Sequence, residues 1–485
     1  MIFNSTIFLL FFLLFFSIYW FISNKSLKYQ NIFLLIGSYF FYVFADWRLS
    51  SYLIAVSILN YFLGLYIPKT ESVIKRKILV YVGVLQGVGG LVFFKYFNFF
   101  IESFNQFFKI LNISISIETL NIIIPLGISF FTFRTISYIL DVDKEKIEPT
   151  KNWIVFFNYV SFFPSLLSGP IDKAKLLVPQ LENPRFFKYK QASSGLRQIL
   201  WGLFKKLVIA DNIAVFTSQV FDNSSEFSGV YLILAAFMYS IQVYTDFSGY
   251  TDMAIGIARL LGFEITKNFN FPFFAQNIAD YWRRWHISLT SWLTEYVFTP
   301  LSIKFRYYGK IGLILAIIIN FIIVGAWHGA NWTFIVFGLI NGIYFIPLIL
   351  KNKMNKTKKN KTDRILPTFR EFFNIIKTFT LITLSLIVFR SNSISDAYNY
   401  FIHIFSNSFI ATPKIDVQNN LIVISLAMSV LMFIVEWLGK NQDYALETLL
   451  EKKPMLFRWL FYSIIIFLIV MYAQTTQTAF IYFQF

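Results

Sequence analysis

The chain has 485 residues, of which 56% are hydrophobic and 14% charged, and it carries a formal net charge of +17. A soluble domain holds about 25% charged residues, so this composition excludes an ordinary water-soluble fold and points to a helical membrane protein. Cys is absent, which excludes disulfides, a Cys-held metal and an acyl-cysteine intermediate.

Apolar runs near the ~20 residues that a spanning helix needs recur from end to end, at 2–22, 32–44, 312–324, 421–435 and 460–472 with their flanks. An all-α, polytopic membrane protein with about ten to thirteen membrane segments, some of them re-entrant, is expected. The first run lacks a basic n-region and a small-residue cleavage site, so it reads as a retained helix rather than a signal peptide.

Basic residues cluster in the gaps between apolar runs, as in cytoplasmic loops, so the charge reflects topology and lipid rather than nucleic acid. Lys25 and Lys28 follow the first run, and Lys69, Lys75, Arg76 and Lys77 follow the third. Segment 351–370 holds six Lys and two Arg against one Asp. With these loops inside, helices near 30–46 and 51–67 go out and return. Helices near 372–391, 419–438 and 459–475 follow the basic loop, and both termini lie outside. Lys-rich stretches within 173–197 read as interfacial or re-entrant helices.

Four central segments carry polar chemistry. Pro125-Leu-Gly-Ile-Ser-Phe-Phe-Thr-Phe-Arg134 and Phe162-Phe-Pro-Ser-Leu-Leu-Ser-Gly-Pro170-Ile-Asp-Lys173 read as bends or broken helices. In Gln242-Val-Tyr-Thr-Asp246-Phe-Ser-Gly-Tyr-Thr-Asp252, two carboxylates in apolar surroundings need partners. Ser248-Gly249 reads as a helix break, Arg259, Arg283 or Arg284 as the counter-charge, and Asp246 and Asp252 as scaffold.

The fourth segment is a pair of histidine strings, in a chain with only 3 His. One is Asp280-Tyr-Trp-Arg-Arg-Trp-His286-Ile-Ser-Leu, the other Gly325-Ala-Trp-His328-Gly-Ala-Asn331-Trp. Imidazole titrates near neutrality and suits proton transfer, and a polar group at membrane depth is a site candidate. The 17 residues from Ile311 to His328 rise roughly 25 Å, which puts His328 beyond the midplane. Arg283 and Arg284 put His286 near the cytoplasmic mouth, so the two imidazoles are expected not to touch. Asp280, Arg283, Arg284 and His286 are expected to meet an anionic or pantetheine-like donor, and Gly325 and Gly329 to let the backbone bend around a bound group. Asn331 or Trp327 is the expected oxyanion donor. His403 has no assigned role.

The two histidine strings, with Pro125-Leu-Gly-Ile-Ser-Phe-Phe-Thr-Phe, Ser168-Gly-Pro, Asp246-Phe-Ser-Gly-Tyr-Thr-Asp-Met-Ala-Ile-Gly and the terminal Phe480-Ile-Tyr-Phe-Gln-Phe, resemble the membrane-bound O-acyltransferases over almost the whole chain. The bacterial alginate and peptidoglycan O-acetyltransferase membrane subunits are the most similar branch. The resemblance implies one transmembrane domain over 1–485, a ring of helices around a central tunnel. Within it lie N-terminal helices at 1–120, a catalytic core at 121–350, a basic cytoplasmic loop at 351–370 and C-terminal helices at 371–485.

It further implies His328 as the principal catalytic residue and His286 as the second, with no metal and no tightly bound cofactor. An acyl group, acetyl by this resemblance, would pass from a cytoplasmic thioester, acetyl-CoA or an acyl-carrier protein, to a hydroxyl outside. The acceptor would be an extracytoplasmic polysaccharide, or a secreted or membrane-anchored acyltransferase partner that then acylates it. A bacterial cytoplasmic membrane location follows from the same resemblance. D-alanyl transfer in teichoic-acid D-alanylation is the alternative within the family. A secondary transporter or flippase is the alternative from another class, and the hydropathy shows no repeat that would favour it.

Overall fold

The structure, a computed structural model, describes residues 1–23, 26–44, 47–113, 115–354, 366–406, 409–410, 419–474 and 480–481. Helices and turns account for its regular structure, and no strand occurs among the described residues. Eight helical stretches there are long and apolar enough to cross a membrane: 47–69, 73–110, 229–260, 306–328, 332–350, 369–390, 420–438 and 455–472. Thr6–Ile22 is apolar but shorter. The protein is therefore a multi-pass helical membrane protein. The expected ten to thirteen segments are reached among the described residues only by counting shorter helices as well. Most of 351–370 and of the terminal motif lies outside the described residues.

Two compact units divide the chain, Met1–Leu196 with Ala254–Thr266 and Arg197–Met253 with Lys267–Phe485. In the first, α1 (Thr6–Ser23), α2 (Leu27–Val43), α3 (Trp47–Tyr66) and α4 (Val73–Leu91) precede α5 (Phe97–Ile110), which α4 joins through a π-helical turn. Then come α6 (Ile128–Asp143), α7 (Trp153–Ser161), α8 (Phe163–Leu166) and α9 (Ala174–Glu182). Here the two Pro-rich segments meet. Gly127, left-handed at φ 71°, starts α6 and lies so close to the Leu166 carbonyl that a Cβ would stand 2.4 Å from it. Only glycine suits that turn.

The break between α7 and α9 leaves carbonyls without helical partners. The buried Arg134 guanidinium donates to the carbonyls of Tyr159, Val160, Ser165 and Pro170, at 2.9–3.5 Å. Asp172, also fully buried, lies 3.9 Å from Arg134 and accepts the Thr266 N–H at 2.8 Å. In lipid or in a dry core, a backbone group without a partner costs several kcal/mol, so a single Arg stabilises the whole broken segment. Both segments are structural bends of one cluster.

Along α10 (Tyr189–Leu203) the chain passes from the first unit into the second, which continues through a π-helical stretch, Phe204–Ala210, into α11 (Asp211–Asp222) and then α12 (Gly229–Leu260), whose last turns, from Ala254, belong to the first unit. Short helices α13 (Ile278–Arg284), α14 (Ile287–Leu293) and α15 (Thr299–Lys304) follow, with a π-helical turn between the last two. They lead to α16 (Gly309–His328), α17 (Trp332–Tyr344), α18 (Ile346–Leu350), α19 (Phe369–Arg390), α20 (Ile394–Ile404), α21 (Asn419–Leu438) and α22 (Met455–Tyr472). The boundaries of α19 and α21 agree with the sequence reading within a few residues.

The expected break at Ser248-Gly249 is absent: α12 runs 32 residues without interruption. Gly249 instead answers to packing. A Cβ on it would stand 2.8 Å from the Gly202 carbonyl, and one on Gly202 would stand 2.5 Å from the Gly249 carbonyl. Two glycines allow two backbones to touch, which overrides the local preference of glycine for non-helical conformations. The same device joins α16 to α17, where Gly325 faces the Phe334 carbonyl and Gly338 faces that of Phe321.

Candidate active site

The two histidines are brought together by a helical hairpin. From His286 the chain runs through α14, a π-helical turn and α15, helical without a gap from Ile287 to Lys304. It turns at Arg306–Tyr308 and returns along α16, whose last residue is His328. At 1.5 Å per residue the arms are of similar length, about 27 and 30 Å, so the residues at their open ends finish at a similar depth. Both imidazoles pack on one indole: Trp327 lies 5.3 Å from His286 and 5.2 Å from His328, ring centre to ring centre. The expected separation into an inner and an outer station is therefore corrected. The helical return of 287–304 brings His286 to the level of His328.

His286 is 1% exposed and sits at the N-terminal end of α14 with left-handed backbone, φ 43°. Such a conformation is uncommon outside glycine and is held by its surroundings. The holder is Asn268. Its Oδ1 accepts the Ser288 N–H at 3.2 Å and the Ser288 hydroxyl at 2.9 Å, and lies 3.1 Å from His286 Nδ1. Its backbone carbonyl accepts the Ile287 N–H at 2.9 Å. An atom that accepts an N–H is the amide oxygen, so His286 Nδ1 carries the proton and Nε2 is the basic nitrogen. The Phe247 ring stands edge-on at 4.7 Å.

His328 is buried among rings, with Phe389 at 5.2 Å and Phe337 at 6.1 Å, both edge-on. A pocket opens beside it, lined by Tyr281, Trp282 and Trp285 of the first histidine string and by Val243, Phe337, Ile382, Leu386 and Phe389. Its walls are mainly apolar and aromatic, with the His328 imidazole among them. Gly329 has extended backbone, and a Cβ on it would collide with the Phe334 ring. The flanking glycines thus serve close packing of α16 on α17, not a bend around a bound group.

The other predicted residues divide. Trp327 is at the centre of the site. Asn331 caps α17 through its Oδ1, which accepts the Thr333 N–H, while its amide donates to the Asn392 carbonyl. Both groups of its amide are engaged, and it serves as a cap. Asp280 is paired with Arg284 at 3.0 Å within α13. Arg283 is exposed and donates to the Met354 carbonyl, whereas His286 is buried. The four expected donor contacts do not form a single surface.

Asp246 and Asp252 find partners that sequence reasoning missed. Lys206 lies 2.7 Å from Asp246 and 2.8 Å from Asp211. Lys205 lies 2.6 Å from Asp252, 2.9 Å from the Ser248 hydroxyl and 3.8 Å from Glu436. The Tyr244 hydroxyl donates to Glu436 at 2.9 Å. Apart from Asp252, whose side chain is 14% exposed, these groups are almost fully buried, and the counter-charges are lysines of the π-helical stretch rather than Arg259, Arg283 or Arg284. The adjacent Lys205-Lys206 inside an apolar run was the available signal. Among the described residues, no three His, Asp or Glu side chains converge as a metal site.

The family model described as MBOAT, membrane-bound O-acyltransferase, matches residues 149–389, which contain both histidines. A peptidoglycan O-acetyltransferase of Helicobacter pylori is 34% identical over 77% of this chain and 73% of its own. A protein of Azotobacter vinelandii named "Probable alginate O-acetylase AlgI" is 34% identical over 84% of this chain and 78% of its own. The chain belongs to the membrane-bound O-acyltransferase family. It is an O-acyltransferase, as the two histidine strings implied. A teichoic acid D-alanyltransferase of Bacillus subtilis is also similar, 30% identical over 49% of this chain and 62% of its own.

Proposed function

We propose that this membrane-bound O-acyltransferase takes an acetyl group from a cytoplasmic thioester and delivers it, across the membrane, to a hydroxyl of an extracytoplasmic polysaccharide or of a partner acyltransferase. The carrying observation is the convergence of both histidine strings on Trp327 beside an aromatic-lined pocket. The O-acetylating relatives cover far more of the chain than the D-alanylating one, which favours acetyl over D-alanyl transfer. Location in a bacterial cytoplasmic membrane, with both termini outside, belongs to the same proposal and is supported by the basic segments 69–77 and 351–370.

In this reading His328 is the general base. As the acceptor oxygen attacks the thioester carbonyl, its proton passes to the His328 imidazole. The new C–O bond leaves an oxyanion, to which the Trp327 indole N–H donates. Collapse breaks the C–S bond, and the departing thiolate takes the proton from the imidazolium. His286 packs against the same indole and is fixed in one tautomer by Asn268.

The test uses sealed inside-out vesicles given acetyl-labelled donor at the cytoplasmic face and an oligosaccharide acceptor enclosed in the lumen. Ester label on the enclosed acceptor, with stoichiometric thiol release outside, is expected from the wild type, and neither from His328→Ala at equal protein level. Full transfer by His328→Ala overturns the assignment. Transport of acceptor without thiol release would establish a transporter.

A further inference from the structure

A terminal segment far from the histidines in sequence is bound into the unit that holds them. Phe480 is 1% and Ile481 4% exposed. The Ile481 N–H donates to Asp246 Oδ2 at 2.9 Å, while Lys206 binds the other oxygen of that carboxylate at 2.7 Å. Asp246 is thus shared between a buried cation and the backbone of the tail. The Phe480 ring lies 4.7 Å from Tyr250 and 6.0 Å from Phe247, on successive turns of α12. Phe247 in turn stands edge-on to His286 at 4.7 Å. A continuous series of ring contacts therefore runs from Phe480 through Phe247 to His286 and Trp327, and ends at His328.

We infer that the Phe480–Ile481 segment is a positioning clip for the histidine pair, latched by Asp246 and transmitted to His286 by the Phe247 ring. Two features support it. A charge-assisted hydrogen bond in a dry site is stronger than a neutral one, so the Asp246 latch is directional rather than a passive apolar contact. In a close-packed interior, removing a ring lets its neighbours shift, and His286 has an uncommon left-handed backbone that its neighbours must hold. Neither Phe480 nor Ile481 touches the pocket beside His328, so the clip acts through other residues. It would hold the imidazoles where the thioester and the acceptor meet.

The inference rests on the proposed role of His328, and the experiment separates the two. Full-length Phe480→Ala and Ile481→Pro, the second deleting the donating N–H, are compared with wild type and His328→Ala in proteoliposomes. Imidazole NMR on selectively labelled protein reports the three histidines directly. Misplacing a reacting group by about 1 Å can slow a reaction as much as a hundredfold. Both clip variants are expected to lose roughly tenfold to a hundredfold in kcat with KM for the acyl donor unchanged. The His286 resonance should shift while that of His403 stays, and Phe480→Tyr should restore both kcat and shift. A merely structural tail would lower the amount of folded protein but leave kcat per folded molecule and the His286 signal unchanged. That outcome in either variant overturns the clip. Unchanged clip variants beside an inactive His328→Ala sink the clip alone, whereas an active His328→Ala sinks the reading beneath it.

Discussion

Two regions of the same unit put polar groups into apolar surroundings, and they solve the problem in opposite ways. Around α12, lysines meet carboxylates at 2.6–2.8 Å, with hydroxyls and a backbone N–H completing the cluster. Around Trp327, two imidazoles meet aromatic edges, and one of them is anchored by a single amide. The first arrangement saturates charge with charge and resists change. The second leaves imidazoles among aromatic rings, with that of His328 beside a pocket. Burial of ionisable groups alone does not mark chemistry; the manner of their pairing does.

The comparison breaks most visibly at Lys205. Lys205→Met leaves Asp252 and Glu436 without their cation, and removing one partner of a buried pair typically destabilises by about 3–5 kcal/mol. Loss of folded protein in detergent melting assays is expected, with much of the loss recovered when Asp252→Leu and Glu436→Gln accompany it. A stable but inactive Lys205→Met would move this cluster into the chemistry. Next comes the helix crossing that carries His328. A Cβ at Gly325 would stand 2.1 Å from the Phe334 carbonyl. Gly325→Leu should therefore destabilise by about 1–3 kcal/mol or more, with activity falling further than the folded fraction.

Asn268→Ala sharpens the other side. It removes the acceptor shared by Ser288 and His286, a loss of about 1–3 kcal/mol. It should also free the His286 tautomer, seen as exchange between two imidazole forms by NMR. The smallest effect belongs to Arg283, whose exposed guanidinium donates to the Met354 carbonyl. Arg283→Ala should change stability by less than about 0.5 kcal/mol. A raised KM for the thioester donor in that variant would restore the expected donor contact.

Much of the class was legible in composition. Long apolar helices such as α19 and α21 announce themselves because nothing but hydropathy decides them. The histidine strings stood out because polar groups are rare in such a chain. What escaped was set by tertiary packing. Ser248-Gly249 looked like a break because glycine is a poor helix former, yet the Gly202 contact required it within a continuous helix. Arginines were chosen as counter-ions for Asp246 and Asp252, whereas two adjacent lysines some forty residues earlier reach them. Glu436 passed unnoticed near the end of an ordinary apolar run. The depth of His286 was misjudged because neighbouring arginines suggested a surface, although the helical return of 287–304 brings it beside Trp327.

The proposed chemistry depends on His328. The direct measurement is single-turnover acyl transfer by purified, reconstituted His328→Gln, which keeps a polar side chain of similar size but supplies no base. The rate should fall by at least about a hundredfold, as expected for loss of a general base, while melting temperature and thioester binding stay near wild type. Transfer at the wild-type rate by the folded variant would contradict the account.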